Sequence, residues 1–299
     1  MMHSQVDMKA KSLRSRLSKD GDSQIRPARN DDWLEIERLL SYADRHYLAL
    51  EWWTIQEWLG SPTFLLVADQ RGRTMGLMLS VNSETPIAWL RAISILSDRY
   101  LMPLLEASIQ TVLARGGTGL AFLGNEGWIV SRLEQANFHQ VNQVITLRHR
   151  RAQRVHHGPP GLHIRTATPA DIDLVLAVDH AAFTPMWWYS REILNRALNL
   201  GFSFDVARLE GEFVGYQLST LRNGRGHIVR LAVDPRWQRR GIGGRLLSVA
   251  LQAFDGAGAE SVTVNTQVNN QASLQLYHRF SFDRVGKPWA VWYRSLEQG

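Results

Sequence analysis

The chain has 299 residues, 44% hydrophobic and 21% charged, with a formal net charge of +6 and no cysteine. That length suits two domains, each able to bury a core, and the missing cysteines exclude a disulfide framework, thiolate metal ligands and a cysteine nucleophile. The modest basic excess points to an anionic partner, either a phosphorylated ligand or nucleic acid, and no apolar run approaches the roughly 18 residues of a membrane span.

Residues 1–24 are polar and mixed in charge and lack the apolar core of a secretory signal; they read as a disordered lead-in to a cytoplasmic protein. From Ile25 the chain repeats itself. Ile25-Arg26-Pro27-Ala28 precedes an amphipathic stretch carrying Trp33, Ile36, Leu39 and Leu40, and Ile164-Arg165-Thr166-Ala167 precedes another with Ile172, Leu174, Val175 and Val178. Asp32 and Asp171 fall at the same offset, Trp52-Trp53 recurs as Trp187-Trp188, and Gly72 and Gly76 recur as Gly211 and Gly215. This order predicts two copies, residues 25–150 and 163–299, joined by a basic, Gly/Pro-rich linker over 151–162. Each copy reads as strand, helix, helix, two or three strands, helix, strand, helix, strand, an α/β mixture.

In the second copy a strand ends at Val233 and an amphipathic helix begins near Gly243, with Gln238-Arg239-Arg240-Gly241-Ile242-Gly243-Gly244 between them. Free N–H groups at a helix start attract an anion, glycines let the main chain approach a phosphate, and Arg236, Arg239, Arg240 and Arg245 add positive charge. Such a turn suits a pyrophosphate, although a plain tight turn has the same composition. It is neither a Walker loop nor a G-x-G-x-x-G dinucleotide fingerprint.

These residues resemble the GNAT superfamily of acetyl-CoA-dependent N-acetyltransferases. The pyrophosphate loop of that family is matched by Gln238, Gly241 and Gly243, and Leu231-Ala232-Val233 resembles its pantetheine-pairing strand. Asn270 to Tyr277 is similar to its Asn-x-x-Ala-x-x-Leu-Tyr helix. The resemblance covers about residues 163–295. It implies an α/β (α+β) fold of two tandem domains, each a mixed, mostly antiparallel sheet flanked by helices. It also implies acetyl-CoA as co-substrate, bound by Leu231, Ala232, Val233, the Gln238–Gly244 loop and Asn270, with no metal.

Amide formation from a thioester needs a neutral amine, an oxyanion donor and a proton for the leaving thiolate. By the resemblance Tyr277 is the general acid; a core aromatic on a helix face is its structural alternative. By the resemblance His227, on the strand before the glycine turn where relatives carry a Glu or His, is the candidate base, with a satisfied buried histidine as the competing reading; Asn265, where some relatives carry Glu, leaves the role to His227 or an ordered water. A backbone N–H near Leu231 or Ala232 is the expected oxyanion donor. Ser281 replaces the family's usual Gly before Phe282, which implies the same turn with some strain.

The loop Ala181–Ser190 resembles that of ribosomal-protein alanine acetyltransferases, which points the acceptor toward a peptide or protein α-amine. The first copy lacks the glycine turn, reading Leu96-Ser97-Asp98-Arg99-Tyr100-Leu101-Met102-Pro103 there, and has Leu133 where tyrosine is expected. It reads as a degenerate copy that is structural or shapes the acceptor site. The alternative to an enzyme is a non-catalytic acyl-CoA sensor or interaction module. The partners expected are acetyl-CoA and an amine acceptor, with no nucleic acid and no membrane, in a monomer or homodimer.

Overall fold

A computed structural model describes residues 24–81, 84–150 and 156–297. All but the last residue of the expected lead-in, and residues 151–155 of the expected linker, lie outside the described residues. The first half runs β1 (Gln24–Pro27), α1 (Trp33–Tyr42), β2 (Arg45–Leu48), β3 (Phe64–Ala68), β4 (Thr74–Val81), β5 (Ile87–Ile95), α2 (Leu101–Ala114), β6 (Gly119–Leu123), α3 (Gly127–Gln135) and β7 (His139–His149). The second runs β8 (His163–Thr166), α4 (Ile172–Ala182), α5 (Arg191–Leu200), β9 (Ser203–Leu209), β10 (Glu212–Arg222), β11 (Arg225–Val233), α6 (Ile242–Gly256), β12 (Ser261–Gln267), α7 (Gln271–Arg279) and β13 (Phe282–Ser295).

The repeat has a physical counterpart at the start of each half. Arg26 grips Asp32 through two hydrogen bonds of 2.6 Å, and Arg165 grips Asp171 through two of 2.7 Å. Each bidentate pair ties an edge strand to the turn that starts the first helix. The halves diverge just afterwards. Ser190 caps α5, its side chain accepting from the Ile193 amide at 3.2 Å, and Leu194 and Ala197 are buried beneath it. The first half, where a second helix is expected, has β2 and a single 3₁₀ turn over Ile55–Trp58. The capping box of Thr54 and Glu57 starts that turn, and Gly60 (φ 82°) followed by Ser61 and Pro62 leaves it no room to extend.

One mixed, mostly antiparallel sheet spans both halves in the order β1-β3-β4-β5-β6-β13-β7-β12-β11-β10-β9-β8. The order places the closing strand of each half against the other half. Val144–Arg148 of β7 pairs with Gln267–Thr263 of β12, whereas Val291–Ser295 of β13 pairs with Leu123–Gly119 of β6. The two closing strands also pair with each other across a bulge between Val285 and Trp289. Ile145 and Leu147 of β7 consequently pack with Val264, Tyr277 and Phe282, and Ala290 and Trp292 of β13 pack with Leu120, Phe122 and Leu133. Each core is completed by a strand from the other repeat.

The parallel pairs β5/β6 and β11/β12 both separate part-way along. β11 leaves β12 after Ile228↔Val264, next to a bulge opposite Leu218/Ser219 of β10. β5 leaves β6 after Trp89↔Ala121, but β2 enters the gap and pairs with Ala92–Ile95. Tyr47 pins β2 there by donating to the Leu123 carbonyl at 2.8 Å and packing on Phe122 at 4.8 Å between ring centroids. The slot is open in one half and filled in the other.

Candidate active site

The glycine turn lies at the end of β11. Asp234 caps a 3₁₀ turn over Pro235–Trp237, Gln238 donates to the Val233 carbonyl at 3.0 Å, and Arg239 (φ 62°) and Gly241 (φ 84°) swing the chain into α6. Among the described residues the amides of Ile242, Gly243 and Gly244 have no backbone acceptor, the first such bond being Arg245 N–H to the Gly241 carbonyl at 3.1 Å. They stand at the positive end of the helix dipole, and of the three residues Gly243 is partly exposed while Ile242 and Gly244 are buried. Gly243 lies on the side of Leu231, Val233 and Leu276, beside the open slot, whereas Gly241 and Gly244 lie against the His156 ring. Ile242 is 1% exposed and belongs to the core of Leu209, Val214 and Leu246. The arginines are not equivalent: Arg236 is engaged by Asp234 and Arg240 lies over Trp237, 4.6 Å from its ring centroid, while Arg239 stays exposed.

A cavity of about 460 Å³ opens where β11 and β12 part. His227, Leu231, Asn265, Asn270 and Tyr277 line it from the second half, and Glu51, Trp52, Thr85, Trp89 and Arg91 from the first. Tyr277 is buried, its ring centroid 5.5 Å from that of Phe282, and its hydroxyl has no hydrogen-bond partner among the described residues. Burial pushes this phenol well above its ordinary pKa, so it stays protonated. Asn270 caps α7, its side chain accepting from the Ser273 amide at 3.1 Å, and Asn265 accepts from Thr146 of β7 at 2.8 Å.

His227 Nδ1 is 2.9 Å from the Thr263 hydroxyl, which donates to the Gly226 carbonyl at 3.3 Å. With that hydroxyl proton committed, Thr263 accepts from Nδ1–H, which leaves Nε2 as a bare acceptor. Burial lowers the pKa of His227, and the Glu51 charge opposes the shift. The imidazole is therefore neutral at pH 7 with its free lone pair on Nε2.

The wall over this cavity is held by a buried network that the sequence pattern did not single out. Asp179 accepts from Tyr216 at 2.5 Å, from Arg230 at 2.8 and 3.0 Å, and from the Tyr189 amide at 2.9 Å. Arg230 also donates to the Trp187 carbonyl, and its Cζ lies 3.6 Å from the Phe183 ring centroid and 4.1 Å from that of Tyr189. The signal was present: Asp179 interrupts the apolar face of α4 formed by Ile172, Val175 and Val178. The first half adds two further clamps. Trp89 donates to the Met186 carbonyl at 3.0 Å, and Arg196 of α5 donates to the Trp52 carbonyl at 2.6 Å.

Leu133 occupies the seventh position of α3 as Tyr277 does of α7, but is enclosed in the first core. Asp98, beside the start of α2, pairs with Arg45 at 3.0 Å. Among the described residues, no helix is long and apolar enough to cross a membrane, and no cluster of three or more candidate metal ligands is found.

The model of the Acetyltransferase (GNAT) family matches residues 175–282. The N-alpha-acetyltransferase of Sulfolobus acidocaldarius is 33% identical over 135 residues, spanning 41% of this chain and 80% of that protein. An uncharacterized N-acetyltransferase of Methanocaldococcus jannaschii is 31% identical over 127 residues, 40% of this chain and 76% of its own. Over nearly the whole chain the fold resembles a GCN5-related N-acetyltransferase from Sphaerobacter thermophilus (TM-score 0.63, 16% identity, 93% of this chain and 96% of that one). It also resembles a tandem GNAT protein from the clavulanic acid biosynthesis pathway (TM-score 0.61, 12% identity, 93% and 100%). The sequence relatives and the fold together establish that the chain belongs to the GNAT family of N-acetyltransferases and is an acyltransferase.

Proposed function

We propose that the second half transfers an acetyl group from acetyl-CoA directly to a primary amine, and that this amine is the α-amine of a peptide or protein. The observation that carries the reading is that one cavity, open where β11 leaves β12, brings together the Tyr277 side chain and His227 with its bare Nε2, while the acceptor-free amide of Gly243 at the start of α6 lies on the side of Leu231 and Val233. The residues present fit acetyl-CoA. The Gln238–Gly244 turn, with the Gly243 amide and Arg239, would hold the pyrophosphate, and Leu231, Ala232 and Val233, where β11 has left β12, would hold the pantetheine arm. Once bound, acetyl-CoA supplies the acyl group and a thiol leaving group.

The protein's residues then move protons. His227 Nε2 accepts the proton that the incoming ammonium must lose, while the Thr263 hydroxyl holds Nδ1–H and fixes the tautomer. A backbone amide of β11 near Leu231 or Ala232 donates to the developing oxyanion. Tyr277 donates to the departing thiolate. The phenol is the weaker acid, so this transfer is uphill, and the fixed proximity of donor and acceptor offsets the step. The lean toward α-amines is supported by the names of the sequence relatives and by the aromatic loop from Phe183 to Tyr189.

A screen of peptides and small amines, read by free CoA released, tests this function. The chain has no cysteine, so a thiol-reactive dye reports CoA alone. Acetyl-CoA-dependent release with peptide α-amines supports the reading; CoA binding without turnover by any amine favours the sensor. Tyr277→Phe should lower turnover and leave acetyl-CoA affinity intact.

A further inference from the structure

The open slot accounts for the cofactor side of the cavity, but not for the wall supplied by the first half. There Glu51 stands in the left-handed region at φ 53°, a costly conformation for a residue with a side chain. The segment that carries it is fastened down: Arg196 donates to the carbonyl of Trp52, pairs with Glu57 and lies 5.2 Å from the Trp53 ring centroid. Glu51 thus sits on a strained backbone that Arg196 holds after it and the Ala49 amide, donating to the Arg91 carbonyl at 2.8 Å, holds before it. Arg91 pairs with Glu51 Oε1 at 2.8 Å, the Glu51 side chain is 38% exposed, and no hydrogen bond from a described residue engages its other oxygen. Arg91 itself lies over Trp89, 5.4 Å from the ring centroid, and both residues border the cavity that contains His227 and Tyr277.

We propose that Glu51 binds the acceptor's ammonium before it loses its proton, so that the half without a cofactor slot builds the amine subsite of the active site. The inference rests on the acetyl-transfer reading given above. The chemistry follows from the groups around the space. Arg222 and Arg230 repel an ammonium, and Asp179 is consumed by Arg230, Tyr216 and Tyr189. Tyr189 and Tyr277 are neutral, held so by burial. Among the described residues Glu51 is therefore the one carboxylate that lines this cavity. A cationic amine that enters pairs with that carboxylate beside the indoles of Trp52 and Trp89, then loses a proton to Nε2 of His227. The same negative charge supports protonation of His227, against the effect of burial.

The test compares wild type with Glu51→Gln and Glu51→Asp, using a tetrapeptide amide with a free α-amine and phenethylamine as probes. A charge-assisted hydrogen bond of this kind implies that E51Q raises the acceptor KM roughly tenfold or more, with the KM for acetyl-CoA unchanged. The acid limb of the kcat/KM profile should move to lower pH, since His227 loses its supporting charge, and E51D should restore part of both effects. A loss of structure alone would weaken CoA binding and leave the pH limb where it was. Wild-type turnover together with an unchanged acceptor KM and pH limb in E51Q overturns the role of Glu51 while leaving acetyl transfer standing. Failure of wild type to release CoA with either probe or any amine overturns both.

Discussion

Removing the carboxylate of Asp179 isolates a buried guanidinium. The Asp179 and Arg230 side chains are 0% and 9% exposed, so their charges compensate each other largely away from water. In Asp179→Ala the Tyr216 hydroxyl, the Tyr189 amide and two Arg230 nitrogens lose their acceptor together. Breaking a buried pair from one side costs about 3–5 kcal/mol, because the remaining charge is left without compensation. An exposed pair such as Glu35–Arg38, at 43% and 57% exposure, is worth about 0–1 kcal/mol and serves as the control. Urea midpoints at constant slope give the comparison, with Arg230→Ala and the double variant closing a cycle. We expect the double variant to be less destabilised than the sum of the singles by about 1–3 kcal/mol. Activity should fall as well, through a higher acceptor KM, because the same network holds the Phe183–Tyr189 loop. If D179A lies within about 1 kcal/mol of Glu35→Ala, or the cycle is additive, the network does not stabilise the site as argued.

Three further outcomes follow from other parts of the molecule. As the proposed base His227 acts when neutral, and burial lowers its pKa, so activity should fall on acidification through a limb below pH 6.5; H227A should abolish that limb in the kcat/KM profile. Gly241→Ala places a side chain at φ 84° with its Cβ 2.8 Å from His156 Cε1, and CoA affinity measured by calorimetry should fall about tenfold, for roughly 1–2 kcal/mol of backbone strain. His156→Ala should relieve the contact but not the φ penalty. A fragment of residues 156–299 lacks β7 and with it Ile145 and Leu147 of the core around Tyr277, so it should show no cooperative urea transition, in contrast to the full chain.

The parts of the molecule legible in the sequence are those with local causes. The α6 start follows from the glycines after Val233, α7 from its cap Asn270, and the β9–β10 hairpin from Glu210 (φ 53°) and Gly211 (φ 83°). Ser281 takes φ 59°, the left-handed turn for which the family's glycine is suited, and Asn137 takes the same φ before Phe138 in the first half. The strand exchange was not legible, because β7 and β13 carry the same alternation wherever they pair, and pairing partners are a long-range choice. β2 was hidden for a related reason: the short run Arg45-His46-Tyr47-Leu48 becomes a strand only because β5 offers a free edge at Ala92–Ile95. Glu51 and Arg91 gave no motif, since their meaning depends on a cavity assembled from both halves.

The contrast between the two slots carries a quantitative consequence. A strand that leaves its neighbour inside a protein exposes backbone donors and acceptors that must be met by chain, water or ligand. In the first half they are met by chain: Ala92–Ile95 bonds to β2, and the Ala49 amide donates to the Arg91 carbonyl at 2.8 Å. At the start of α2, where an anion would sit, Asp98 already stands beside Arg45, and no glycine turn brings the backbone close. A pantetheine arm would have to expel β2, breaking four residues of pairing and the Tyr47 contacts to Leu123 and Phe122. Among the described residues no strand fills the slot of the second half. We therefore expect calorimetric titration with CoA to saturate at one molecule per chain, and Gly243→Trp, placed beside the open slot, to abolish binding altogether. A stoichiometry of two, or residual CoA binding in the Gly243 variant, would show that the filled slot opens and would remove the division of the fold into a cofactor half and an acceptor half.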